Sequence, residues 1–130
     1  MQLPDRSDPT HDRSSMNRYA AAGITNDAYE TGLRIAVLSD SARGARDAFD
    51  EIQHHAAGAS RICKANGAER IEYPSGGAIT FHRSVDHLRG VSADIVYLDG
   101  DAERQVHERD QWDALHAVLA TSRDPQIIRA

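Results

Sequence analysis

Apolar and polar positions divide the chain near residue 33. From Met1 to about Gly32 large apolar side chains are few, and Pro4 and Pro9 stand among Asp, Arg and Ser, so this stretch can bury little. Residues 1–32 read as a flexible N-terminal tail with one short helical turn around Met16 to Ala22. Leu33 to Leu38 is then an apolar run interrupted only by Arg34, the pattern of a strand buried on both faces. Ser39, Asp40 and Ser41 can cap the next helix, whose apolar positions Ala45, Ala48, Phe49, Ile52 and Ala56 follow helical spacing, with Gly58 ending it.

Short strands are predicted at Arg61 to Lys64, Glu69 to Tyr73 and Ala78 to His82, the last two joined as a hairpin by Pro74-Ser75-Gly76-Gly77. Ile95 to Leu98 reads as a second buried strand, ending at Asp99. Trp112, Leu115, Val118 and Leu119 share one face of a later helix, and Gln126 to Arg129 after Pro125 forms a last strand. Strand, helix, hairpin, strand, helix and strand imply an α/β domain over residues 33–130, with a mostly parallel sheet flanked by helices.

Composition narrows the picture. A chain of 130 residues suits one domain, and by surface scaling it buries roughly two-thirds of its unfolded surface on folding. Apolar runs are too short to span a bilayer, and Met1 to Arg13 lacks the apolar core of a secretory signal. The expected location is therefore the cytoplasm. Net charge is -5, against a protein devoted to gripping phosphate backbones. Lys64 is the single lysine beside 14 arginines, a bias pointing to a GC-rich genome rather than to a function. Cys63 is the one cysteine, so no intrachain disulfide can form, and it reads as a packed thiol.

Several segments stand in a suggestive order. They are Arg34 to Leu38, Ser41 to Ile52, Gly76-Gly77-Ala78-Ile79-Thr80-Phe81, and Arg89-Gly90-Val91-Ser92-Ala93-Asp94-Ile95-Val96-Tyr97-Leu98-Asp99. Together they resemble the ATPase core of phage large terminases, which drive DNA into capsids, and more distantly helicase cores. Trp112-Asp113-Ala114-Leu115 and Asp124-Pro125-Gln126-Ile127-Ile128 are similar to the helix and strand that follow that family's Walker B strand. The resemblance covers roughly Leu33 to Ala130 and implies a P-loop NTPase-like fold in partial form.

Two departures from the family bear on activity. A phosphate-cradling loop needs Gly-x-x-x-x-Gly-Lys-Ser/Thr before the first resembling strand, and only Gly23 and Gly32 lie there, with no lysine. Asp99 matches the Walker B aspartate that holds magnesium, but the next position, glutamate in active members, is Gly100. Asp101 and Glu103 leave the turn from different positions and are poor substitutes. The resemblance therefore implies a pseudo-ATPase that works through protein contacts.

Each candidate residue carries a sharp and a bland reading. Asp99 is the one metal candidate, and any weak Mg²⁺ or nucleotide binding belongs at this strand end; the favoured alternative is an acidic cap on the next turn. Otherwise no cofactor is expected. Arg89 and Gly90 are a remnant of the family's functional turn or a glycine bend with a solvated arginine. Asp94 marks the strand's solvent end rather than a catalytic acid. His54-His55 with His82 and His87 near Asp86 lack zinc spacing, since adjacent helical residues point about 100° apart. Ser75-Gly76-Gly77 is a hairpin turn rather than an anion nest, and Arg43, Arg46 and Arg61 share a mixed face with Asp47, Asp50 and Glu51.

The leading expectation is a catalytically inactive module from a phage or prophage, with a phage or host partner such as a packaging or helicase component. Trp112 and exposed helix faces are the contact candidates, and self-association into a homo-oligomer remains open. The alternatives are half of a split ATPase site, with Arg89 or Arg43 acting in trans, and a DNA-binding accessory protein. No membrane partner is expected.

Overall fold

The computed structural model describes residues 16–129. Its first element contradicts the tail reading for the part it describes. Helix α1 spans Arg18–Thr31, opened by Asn17, whose side chain accepts from the Tyr19 N–H, and closed by Gly32 in the left-handed conformation. Met16, Ala21, Ile24 and Ala28 are buried in the core, so residues 16–32 belong to the folded unit. The first fifteen residues, the rest of the expected tail, lie outside the described residues.

After α1 come β1 (Arg34–Leu38), α2 (Ala42–Gln53), β2 (Arg61–Cys63), β3 (Arg70–Glu72) and β4 (Ala78–His82). A 3₁₀ turn (Val85–Leu88) leads to β5 (Ile95–Leu98), α3 (Ala102–Glu108), α4 (Trp112–Val118) and β6 (Gln126–Arg129). Ser41 caps α2 by accepting from the Gly44 N–H at 3.0 Å. That helix stops near Gln53, short of Gly58. Helix α3 was not anticipated.

One six-stranded sheet runs in the order β2-β3-β4-β1-β5-β6. Pairings β4·β1, β1·β5 and β5·β6 are parallel, whereas β2·β3 and β3·β4 are antiparallel. The sheet is thus mixed, and the expectation of a mostly parallel one holds only for its β4-to-β6 part. The antiparallel part follows from chemistry between β3 and β4. Gly76 has φ 93°, and a Cβ on Gly77 would lie 2.1 Å from the Ala28 carbonyl oxygen, so the hairpin turn fits tightly under the end of α1. Ser75 Oγ fixes it there by donating to the same carbonyl at 2.7 Å.

Two apolar layers sandwich the sheet. Ile35, Val37, Ile79, Phe81, Ile95 and Tyr97 face α1 and α2, meeting Ala21, Ile24, Ala48, Phe49 and Ile52. Ala36, Leu38, Val96 and Leu98 face the opposite way, onto Val85 and Leu88 of the 3₁₀ turn and Val106, Leu115, Val118 and Leu119. The alternation along each strand is the period of two that sends successive side chains to opposite faces. Strands β1 and β5 are buried almost throughout, as strands covered on both sides must be.

Candidate functional site

Strands β1 and β5 are neighbours, yet their continuations diverge. Strand β1 feeds α2 on the first face, whereas β5 feeds α3 and α4 on the second. Such a reversal at the carboxyl ends of the strands is the place where open α/β sheets bind ligands. The residues that stand there are Ser39 and Asp40 after β1 and Asp99 and Gly100 after β5.

Asp99 is held by its strand as well as by its side chain. Its N–H donates to the Leu38 carbonyl at 2.9 Å, which fixes the backbone of the strand end against β1. Only 7% of Asp99 is exposed, and Ser39 Oγ donates to Oδ2 at 3.4 Å, a long hydrogen bond. Burial pushes its carboxyl up to about 6; the Ser39 hydroxyl and the Gly100 N–H oppose that rise, while the charges of Asp40 and Asp47 add to it. Asp99 is therefore an anion at neutral pH that its surroundings only partly support.

One buried carboxylate and one hydroxyl at a strand end suit a hydrated divalent cation, because Mg²⁺ keeps several waters and takes one or two protein oxygens. They do not form a closed cage: no group of three or more His, Cys, Asp or Glu side chains among the described residues is placed to hold a metal. Asp101 and Glu103, considered as substitutes for a missing carboxylate, are occupied elsewhere. Asp101 pairs with Arg104 at 3.1 Å and Glu103 with Arg129 at 3.0 Å. Gly100 has φ 60°, a conformation natural for glycine and strained for a side-chain-bearing residue, so the local backbone itself disfavours a glutamate there.

The four residues of the sequence motif separate in space. Asp99 stands at the carboxyl end of β5, whereas Arg89, Gly90 and Asp94 precede its amino end, a strand of about 13 Å away. Asp94 clamps the starts of β1 and β5: it accepts from the Arg34 N–H at 2.9 Å and from the Arg34 guanidinium at 3.2 and 3.3 Å. That guanidinium holds the Asp94 carboxyl below its usual range. Arg89 closes the 3₁₀ turn, and Gly90 supplies a φ of 80° before Val91.

The histidines also sort themselves. His82, on the second face of β4, is 4% exposed and sits 2.7 Å from Thr80 Oγ1 through Nε2. Its Nδ1 is 3.2 Å from both Nδ1 and the carbonyl oxygen of His87. Burial, then the neighbouring His87, lowers His82 to about 4, so it is neutral, with Nδ1–H donating to His87 and Nε2 accepting from Thr80. His54 and His55 lie at the far end of α2, where His55 meets Glu51 at 3.4 Å. Thr80 and His82, two apart on one strand, carried the signal for this network, but their pairing with His87 depends on the 3₁₀ turn, which the sequence did not suggest.

Arg46 is turned inward rather than presented with Arg43 and Arg61. Its guanidinium donates to the Lys64 carbonyl at 2.7 Å and to Asn66 Oδ1 at 3.1 Å, and meets the buried Glu69 at 3.4 Å. This pins the loop between β2 and β3 to α2. A half-buried Trp112 packs beside the second layer, with the Arg129 guanidinium 5.5 Å above its ring.

These features define a class: a three-layer α/β/α domain with one buried carboxylate and its hydroxyl partner at the switch point of a mixed sheet. No helix among the described residues is long and apolar enough to cross a membrane. The sequence matches no family model, and no curated protein matches it.

Proposed function

We propose that this chain is a terminase-like or helicase-like domain of phage or prophage origin that does not hydrolyse ATP alone and acts by contact with a protein partner. The observation that carries the reading is the switch point of the sheet, where Asp99 stands at the end of β5 with Gly100 after it. In the terminase resemblance this is the magnesium position without its catalytic glutamate. The 130 residues contain no Gly-x-x-x-x-Gly-Lys-Ser/Thr segment to cradle phosphates. An acidic strand end without a cradle has no means of its own to bind and orient a triphosphate. An interaction module needs only the packed frame, and Trp112 with the outer helix faces offers the contact surface.

The placement of Asp99 favours one alternative above a general DNA-binding role. If another chain supplied a phosphate loop at this strand end, Asp99 and Ser39 could take a hydrated Mg²⁺, and the mixture would be active where neither chain is. The first experiment is calorimetry of ATP-Mg²⁺ binding with phosphate release on the purified chain, beside Asp99→Ala. The expected result is no turnover and no binding that depends on Asp99. Turnover abolished by Asp99→Ala would overturn the reading.

A further inference from the structure

The sheet ends at β6, and its outer edge has no backbone partner among the described residues. Gln126 donates its N–H to the Asp94 carbonyl at 3.1 Å, so the alternation of a parallel ladder turns the amides of Gln126 and Ile128 toward β5. Those of Ile127 and Arg129 point outward. Burial also differs from the neighbouring strand: β5 is buried at all four positions, whereas Ile127 and Ile128 are half-buried. Ile128 packs against the α1/α2 layer and Ile127 against the opposite one, and each leaves apolar surface open at the edge.

This edge is self-complementary. Its two outward residues are separated by one inward residue, so an antiparallel copy related by a two-fold axis through Ile128 places Ile127 opposite Arg129 of the other copy, and the reverse. Each such pair exchanges two N–H···O bonds, four in all. The two Ile128 side chains then meet on the α1/α2 face at the close, non-hydrogen-bonded position, where apolar pairs gain most. Arg129 does not bring a bare charge to the contact, because Glu103 pairs with it at 3.0 Å and Trp112 lies beneath it. The other edge is shorter: β2 has three residues, with an exposed Ile62 between the exposed Arg61 and Lys64.

We propose that β6 is a dimerisation edge, and that a second copy of this chain adds to it antiparallel about Ile128 to make one continuous twelve-stranded sheet. The inference is independent of the proposed function. Sedimentation equilibrium from about 10 to about 500 μM tests it, a range chosen because a short strand edge buries less than a standard interface. A reversible monomer–dimer equilibrium is expected, with amide exchange at Ile127 and Arg129 slowing as concentration rises.

Two variants separate backbone from side chain. Arg129→Ala keeps the outward N–H and should weaken the dimer by no more than about fivefold, the reach of a surface ion pair. Arg129→Pro removes that N–H twice per dimer and should weaken it by about tenfold or more, while an edge proline leaves the monomer fold intact. A chain that stays monomeric throughout, or Arg129→Pro dimerising as well as Arg129→Ala, overturns the proposal. Exchange at Ile127 and Arg129 that does not change with concentration in the unmodified chain would overturn it too.

Discussion

Replacing Asp99 by Asn tests the electrostatics of this buried strand end more directly than any activity measurement. Burial holds the Asp99 carboxyl up to about 6, against its ordinary value of 3.8. A raised folded value contributes stability that is complete below 3.8 and is lost as pH rises through about 6. The gap corresponds to about 3 kcal/mol that the ionised form forgoes at neutral pH. His82 acts in the opposite sense. Its value falls from 6.5 to about 4, so its contribution is complete above 6.5 and is lost as pH falls through about 4. Between about pH 4 and 6 the two slopes have opposite signs and similar size, and the unmodified chain should show little net dependence there. The amide of Asn keeps the shape and can still hydrogen-bond to Ser39, but it removes the buried charge. Asp99→Asn should therefore gain roughly 1 to 3 kcal/mol at pH 7.5 and lose about 1.4 kcal/mol for each pH unit below 6, the slope of one uncompensated proton. Urea unfolding followed by Trp112 fluorescence at pH 4.5, 5.5 and 7.5 measures both quantities. A variant less stable than the parent at pH 7.5, or one whose stability is flat from pH 6 to 4.5, would refute the reasoning.

Two further substitutions test the packing at the opposite end of the sheet, where the β3–β4 turn meets α1. Gly77→Ala places a methyl group 2.1 Å from the Ala28 carbonyl oxygen, so α1 or the β3–β4 turn must move; a loss above about 2 kcal/mol in urea unfolding is expected, with faster amide exchange along α1. Tyr73→Phe removes a buried hydroxyl that has no hydrogen-bond partner among the described residues, and should leave stability unchanged or raise it by about 1 kcal/mol in the same assay.

The core strands were legible because β1 and β5 carry apolar residues without the usual alternation, which only burial on both faces explains. Helix α1 was not, although Asn17 and Gly32 bracket it with sound capping signals. Its buried face is Ala21, Ile24, Thr25 and Ala28, and its exposed face also contains Ala22 and Gly23, so the two faces hardly differ in hydropathy. Small residues were selected there by close packing, as the approach of Gly77 to Ala28 demonstrates, and closeness leaves no periodic trace. Helix α3 was missed for a related reason: it buries only Ala102 and Val106 and has no side-chain N-cap bond.

The site divides along the same line. That Asp99 ends a buried strand was readable from local sequence, whereas its union with Ser39 depends on β5 lying beside β1, an order in space that no local pattern encodes. The length of β5 itself separates Asp99 from Arg89, Gly90 and Asp94. Asp94 and Arg34 fix the register of β1 against β5 at one end, and that register sets Ser39 beside Asp99 at the other. A structural ion pair at the foot of the sheet thus positions the contact of Ser39 with Asp99 at its head. Loss of the clamp would disorganise that contact without touching it, which makes the pairing of β1 with β5 the feature on which any function of Asp99 depends.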